Sequence, residues 1–206
     1  MDRRELLKMI AAMTGSAVIG GELFLAGCTS GAKADAGFTM SNIALLDEAG
    51  ETIIPATSTP GAKAAKVGEF MKIIVTDCYP PASREAFVNG MSQLEKDCHA
   101  LHKKSFMDCS PEERKTLLLK LEEEAKIFNQ QQDEKDKPRR EELKKQDKEY
   151  DFVASPKHYY TMIKQLTLLG YFTSAIGMKQ ALRYLPVPGK YDGAYPYKKG
   201  DRAWAE

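Results

Sequence analysis

Histidine and cysteine are the residue types in this chain best suited to metal or redox chemistry, and it has three histidines and four cysteines. His99 and His102 lie three positions apart, which would place both imidazoles on one face of a helix, and Cys98 is adjacent. Such a group could be part of a zinc site. No matching carboxylate–histidine pair occurs elsewhere, so we interpret both as surface histidines and predict no metal. His158 is assigned a structural role.

Other cofactor-binding patterns are missing from the sequence. It contains no Cys-x-x-Cys, which argues against zinc ribbons, thioredoxin-type redox chemistry and covalently bound c-type haem. It has no glycine-rich phosphate loop following a strand, which argues against nucleotide binding. The formal net charge is +1, so nucleic-acid binding has no electrostatic support. We therefore expect no cofactor in this chain.

The N-terminus carries two export signals. Arg3 and Arg4, followed by Leu-Leu-Lys, resemble a twin-arginine signal, and the LAGC ending at Cys28 resembles a bacterial lipobox. The apolar stretch between them is glycine-rich and interrupted by Glu22, which makes it a poor membrane-spanning helix. We predict a signal peptide over 1–27, lipid on Cys28 and a tether over 28–40 at the periplasmic face of a bacterial membrane. A retained N-terminal anchor is the alternative.

Lipid on Cys28 would leave Cys78, Cys98 and Cys109. An oxidising compartment allows a disulfide, and an odd number leaves one thiol over or paired with another chain. Buried free thiols, a bond within the chain and a bond between subunits all remain open.

The body, 41–206, reads as a single all-α domain, because apolar residues recur at three- and four-residue steps. Ser110-Pro111-Glu112-Glu113 has the pattern of a capping box. Ser155-Pro156 resembles a second helix start. The predicted helices are 41–54, 62–78, one capped by Ser83 with Phe87, Met91, Leu94, Cys98 and Leu101 on one face, one starting at Ser110, 157–170, and a short one from Thr173-Ser174 towards Leu182.

Residues 130–150 are strongly charged, and we expect an exposed segment there with a break in the helix near Pro138. The helix over 157–170 is apolar on nearly all sides, so it is either the central core helix or partly covered by another protein. Gly170 is expected to end it.

The last stretch, 186–206, is an extended arm rich in proline, glycine and tyrosine. Its aromatic side chains are costly to leave in water, so the arm should lie against its own helices or against a partner. Our candidates for a partner interface are Leu169, Tyr171, Phe172, Tyr191, Tyr195, Tyr197 and Trp204.

Several blocks carry a family resemblance. They are LLDEAGETIIP at 45–55, TPGAKAA at 59–65, QLTLLGYFTS at 165–174, QALRY at 180–184 and PVPGKYDG at 186–193. In this order they resemble the gluconate 2-dehydrogenase subunit 3 family. The resemblance covers most of 43–204 and is weakest across 130–150.

That resemblance implies a small helical subunit, often exported by the twin-arginine route, of a periplasmic dehydrogenase. The implied catalytic partner is a large FAD-dependent oxidoreductase of the glucose-methanol-choline type that oxidises sugars, sugar acids, glycosides or polyols. A haem c protein would take the electrons, and iron–sulfur is a further centre that partner subunits could carry. The small subunit is regarded as a chaperone and export escort without catalytic residues of its own.

A signal for folded export on a chain without a cofactor pattern suggests that the signal serves a partner. The main hypothesis is therefore an accessory subunit that escorts and anchors a flavoprotein. A free-standing envelope lipoprotein that binds a ligand or protein is the alternative. A redox centre built from Cys78, Cys98, Cys109 and the nearby histidines is a third hypothesis.

Overall fold

The computed structural model describes residues 37–187, 189–190 and 192–205. The helices described below all belong to one compact unit, Phe38–Glu206. The described residues form helices and no strand, which confirms the all-α prediction. The α-helices are α1 Met40–Ile53, α2 Val67–Asp77, α3 Pro81–His102, α4 Pro111–Lys145 and α5 Tyr159–Thr173, with 3₁₀ turns at Ala62–Ala65, Phe106–Asp108 and Glu149–Asp151 and a π turn at Gly177–Ala181.

Helix α5 is the central element, because it packs against each of the other four α-helices. Its buried side includes Ile163, Leu166 and Tyr171. Around it lie Leu46 of α1, Met71 of α2, Phe87 and Leu94 of α3 and Leu117 and Leu121 of α4, all almost fully buried. Burial of apolar surface is the main stabilising contribution in such a core. No helix among the described residues is long and apolar enough to cross a membrane.

The core begins earlier than expected. Phe38, which we assigned to the tether over 28–40, is buried and its ring stacks on Phe87 with centroids 6.0 Å apart. Thr39 then caps α1, because its hydroxyl accepts a hydrogen bond from the backbone N–H of Asn42. A tether can therefore extend no further than Gly37.

The predicted helix over 62–78 is two elements. Lys66 between them has φ 54°, in the left-handed region. The turn lets the backbone N–H of Gly68 donate to the carboxylate of Asp47 on α1 at 2.8 Å. A side chain distant in sequence thus satisfies the first turn of α2, which local spacing could not reveal.

The prediction that Ser83 caps α3 is wrong, because the helix begins two residues earlier, at Pro81. Proline suits the first helical position, since the N–H that it lacks would have no partner within the helix. Four of the five residues expected on its apolar face are buried, but Leu101 is exposed. Lys103, at φ 59°, ends the helix just after Leu101, and the chain turns away before covering it.

Helix α4 confirms the capping box: the hydroxyl of Ser110 accepts from the N–H of Glu113, whose carboxylate accepts from the N–H of Ser110. The predicted break at Pro138 is wrong, because α4 runs through it to Lys145. Asp136 accepts hydrogen bonds at 2.7 Å from both the N–H and the hydroxyl of Ser155. The two hydrogen bonds hold α4 in place two residues before Pro138, and the proline itself removes only one backbone N–H donor from the helix.

Because Ser155 bonds to Asp136, it does not cap α5. The helix begins instead at Tyr159, and His158 is its N-cap, with Nδ1 accepting from the N–H of Tyr160. Burial lowers the pKa of His158, which favours the neutral imidazole that this acceptor role needs. Gly170 does not end α5 either; the helix continues to Thr173.

Candidate partner interface

The outer face of α5 carries three large apolar side chains. Leu168, Leu169 and Phe172 are 39%, 50% and 40% exposed, whereas the rest of the helix is mostly packed. Positions 168 and 172 are four residues apart and 169 and 172 three apart, so the three side chains share one face. We call this set the α5 face. We expected this helix to be either the central core helix or partly covered by another protein. It is central to the core, and it leaves these three side chains exposed.

The position of the α5 face is set by a close contact with α2. A Cβ on Gly170 would lie 2.6 Å from Cδ1 of Phe70, well inside normal contact distance. The missing side chain therefore lets the ring of Phe70 pack directly on the backbone of α5. Glycine is used here for close approach, not for ending the helix.

Tyr171 is a correction to the predicted interface. It is 1% exposed, and its hydroxyl donates to the carbonyl oxygen of Pro60 at 2.6 Å. Its ring meets the ring of Phe172 edge-on, with centroids 5.1 Å apart. Tyr171 is therefore a core residue that supports Phe172 from beneath. It offers no surface to a partner.

After α5 the chain reverses tightly. The hydroxyl of Ser174 donates to the carbonyl of Tyr171, and the N–H of Gly177 donates to that hydroxyl. A Cβ on Gly177 would lie 2.0 Å from the carbonyl oxygen of Tyr171, so only glycine fits. The short helix expected after Thr173-Ser174 is this reversal followed by the π turn.

The C-terminal arm folds back onto Arg183. The N–H of Arg183 donates to the carbonyl of Ala203, and the N–H of Ala205 donates to the carbonyl of Arg183, both at 2.8 Å. The guanidinium lies 5.3 Å from the ring centroid of Trp204 and pairs with Asp201 at 3.0 Å. A backbone N–H from Lys198 and the charge of Arg183 hold the pKa of Asp201 below its ordinary value.

Arg183 was not among the predicted site residues. The signal that could have identified it is the number of aromatic residues that follow it in the arm, since an arginine packs favourably on aromatic rings. The arm does lie against its own chain, yet three of its described aromatic side chains stay accessible. Tyr195, whose ring meets that of Trp204 edge-on, is 52% exposed, Trp204 46% and Tyr197 77%. These three residues remain candidates for partner contact.

The cysteines and histidines of the body differ widely in their surroundings. Cys78 is exposed, while Cys98 and Cys109 are buried with their Sγ atoms 3.3 Å apart. His99 is exposed, and the buried Nε2 of His102 has no hydrogen-bond partner among the described residues. Nowhere in the described part do three His, Cys, Asp or Glu side chains come together as metal ligands. Arg3, Arg4, Cys28 and Tyr191 lie outside the described residues.

Comparison with protein families decides the assignment. The family model described as "Gluconate 2-dehydrogenase subunit 3" matches residues 41–189, from α1 to the start of the arm. The chain belongs to the gluconate 2-dehydrogenase subunit 3 family. It is accordingly a subunit of a gluconate 2-dehydrogenase complex. Searches of curated proteins and of solved structures returned no match.

The matched range contains the whole α5 face and ends before Tyr195, Tyr197 and Trp204. The exposed leucines and phenylalanine of the gluconate 2-dehydrogenase subunit 3 domain thus belong to the part that defines the family. The aromatic end of the arm lies beyond it.

Proposed function

We propose that this chain is the non-catalytic small subunit of a periplasmic, membrane-anchored dehydrogenase, and that it binds an FAD-dependent catalytic subunit of the glucose-methanol-choline type. The observation that supports this most directly is the α5 face. A subunit must present a surface to its partner, and Leu168, Leu169 and Phe172 stay exposed on the helix that otherwise forms the core.

The composition and surroundings of the α5 face suit a protein contact. Aromatic and large aliphatic side chains at the centre of an interface contribute most of its binding energy, with polar groups around them. One turn before Leu168, Lys164 donates to the carboxylate of Glu122 on α4 at 2.6 and 2.7 Å. This ion pair would form part of a polar rim beside the apolar centre.

Phe172 is the best candidate for the central anchor. Its ring is supported on one side by Tyr171, itself fixed by the hydrogen bond to Pro60. A side chain held by a rigid neighbour loses less conformational freedom on binding than a free one. The exposed aromatic groups of the arm, Tyr195 and Trp204, would extend the contact.

The export and anchoring roles rest on the N-terminal signals. The twin-arginine pattern at Arg3 and Arg4 would direct folded export, and lipid on Cys28 would hold the chain at the membrane. A flavoprotein folds around FAD before export, so a partner without its own signal could leave the cytoplasm bound to this chain. The chain would then act as chaperone, export escort and anchor, and a haem c subunit would accept the electrons.

Purification of the complex tests this proposal. The chain is tagged at its C-terminus, expressed in its native host, solubilised from membranes with mild detergent and isolated. We expect a larger protein to co-purify in a fixed ratio and to show the flavin absorption bands. Recovery of the chain alone would contradict the proposal and favour a free-standing envelope lipoprotein.

A Cys28→Ala variant separates anchoring from binding. It should move the chain and its flavoprotein together from the membrane to the soluble fraction, because the lipid attachment is lost. The double variant Arg3→Lys, Arg4→Lys should instead keep both proteins in the cytoplasm. If the chain and the flavoprotein are found in different fractions in either variant, the flavoprotein is not exported and anchored by this chain.

A further inference from the structure

Two buried cysteines face each other between α3 and α4. Cys98 lies in the last part of α3, and Cys109 immediately precedes Ser110, the N-cap of α4. Their Sγ atoms are 3.3 Å apart, and they are 0% and 5% exposed. The sulfur–sulfur distance in a disulfide is about 2.05 Å, so the two atoms need to approach by about 1.2 Å.

The loop that carries Cys109 is fixed on both sides. The N–H of Phe106 donates to the carboxylate of Glu95 on α3 at 3.1 Å. From α4, Arg114 donates to the carbonyls of Phe106 at 2.9 Å and Met107 at 2.7 Å. These contacts hold Cys109 opposite Cys98 without any covalent link, so a bond there would require little rearrangement of the backbone.

We propose that Cys98 and Cys109 form an intrachain disulfide that fastens the end of α3 to the start of α4. The step is a thiol–disulfide exchange: two S–H bonds break, one S–S bond forms, and the two electrons and two protons reduce an external disulfide to two thiols. The occurrence of this reaction in the cell rests on the proposed export to an oxidising compartment. The choice of Cys98 and Cys109 as the pair rests only on the distance between their sulfur atoms.

The two thiols differ in accessibility. Cys98 is 0% exposed and Cys109 is 5% exposed, and thiol–disulfide exchange requires access to the attacking sulfur. An external disulfide therefore reaches Cys109 first. Burial and the hydrogen bond to Cys109 raise the pKa of Cys98, which keeps this inner thiol neutral near pH 7. Cys78 is exposed and remains as the unpaired third thiol.

Peptide mapping tests the pairing directly. The purified full-length chain is equilibrated with reduced and oxidised glutathione, alkylated in denaturant and digested with trypsin. Lysines at 103 and 104 separate the two cysteines, which fall in peptides 97–103 and 105–114. We expect these two peptides to be linked before reduction and separate after it. Both peptides recovered in alkylated form, or linked to the peptide of Cys78, would overturn the inference.

The variants provide matched controls. Cys78→Ser should keep the link, and Cys109→Ser should abolish it. Reductant should lower the melting temperature of the wild-type chain by about 6–12 °C and leave that of Cys109→Ser unchanged. If reductant lowers the melting temperature of wild type and of Cys109→Ser equally, the disulfide does not form. If Cys109→Ser fails to fold, the wild-type peptide map alone decides. Glutathione replaces the cellular oxidant and no partner is present, so the result is independent of whether a flavoprotein co-purifies.

Discussion

The hydroxyl of Tyr171 donates to the carbonyl oxygen of Pro60 at 2.6 Å, across 111 positions of the sequence. This bond joins the last turn of α5 to the loop between α1 and α2. The same loop is closed at its base, where the N–H of Ala62 donates to the carbonyl of Ile54 at 2.9 Å. Tyr171 therefore stabilises the fold from within, and its effect on partner binding is indirect.

Removal of this hydroxyl should affect stability and leave binding unchanged. Tyr171→Phe keeps the ring but leaves the Pro60 carbonyl without its partner, so we expect the free energy of unfolding to fall by about 1 kcal/mol. Urea unfolding followed by circular dichroism measures this change. The proposed flavoprotein partner should co-purify with this variant as it does with wild type. A variant with full stability that loses the partner would return Tyr171 to the interface.

The sequence could not distinguish Tyr171 from its neighbour Phe172. Both are aromatic residues on a helix that is apolar on nearly all sides, and adjacent helix positions differ by only about 100° around the axis. Which one faces inward depends on where the other helices lie. Only the tertiary packing supplies that information, and it places Tyr171 in the core and Phe172 on the surface.

Substitutions on the α5 face should weaken partner binding without unfolding the chain. We expect Leu169→Ser to lower the free energy of unfolding by no more than about 1 kcal/mol, because half of its side chain is exposed. Phe172→Ser should cost about 1–2 kcal/mol, because its ring also meets the ring of Tyr171 edge-on. Loss of an anchor residue should weaken the complex by about 10-fold or more. Titration of the purified variants against the proposed flavoprotein subunit measures the affinity.

Ile127→Ser is the matched control for this experiment. Ile127 is 61% exposed on α4 and lies beside Gln130, Gln131 and Glu134, so its replacement removes an exposed aliphatic side chain away from the α5 face and its polar rim. It should leave the affinity unchanged. If Ile127→Ser and Phe172→Ser reduce the affinity equally, the assignment of the interface to the α5 face is wrong.

Alanine at Gly170 should destabilise the packing of α5 on α2. The new Cβ would lie 2.6 Å from the ring of Phe70, and relief of such an overlap costs about 1–3 kcal/mol. Thermal unfolding measures the loss. In a double-mutant cycle with Phe70→Leu the cost of the added methyl should shrink, because the smaller side chain leaves room. Additive effects would show that the two positions do not interact.

Gly170 also shows where local rules succeed and fail in this chain. Ser110 and Glu113 act on each other within one helical turn, so their capping box was predictable from spacing alone. Gly170 and Ser155 looked like the end and the start of helices, but each interacts with a residue distant in sequence, Phe70 and Asp136 respectively. Tertiary contacts of this kind override local preference.

Glu48 of α1 provides a test of pH dependence. Lys63 donates to its carboxylate at 2.6 Å, and Arg114 of α4 donates to the other oxygen. Burial acts to raise the pKa of Glu48, but the hydrogen bond from Lys63 and the charge of Arg114 outweigh it, so the pKa is lowered overall. This carboxylate joins α1, the 3₁₀ turn after it and α4 only while it is ionised.

Stability should therefore fall as the pH drops through the acid range. A glutamate titrates near pH 4.3 in an unfolded chain, and the folded pKa of Glu48 is lower, so between the two values the unfolded chain binds more protons. The contribution of Glu48 is complete above roughly pH 5 and is lost as the pH falls through the folded pKa.

Glu48→Gln should lower the free energy of unfolding by about 1–3 kcal/mol at pH 7 and make it depend less on pH below pH 5. The two curves should converge in acid. Glu123→Gln, at an exposed pair with Lys126, is the control and should follow wild type. If the free energy of unfolding depends on pH in the same way for wild type and Glu48→Gln, ionised Glu48 does not stabilise the fold.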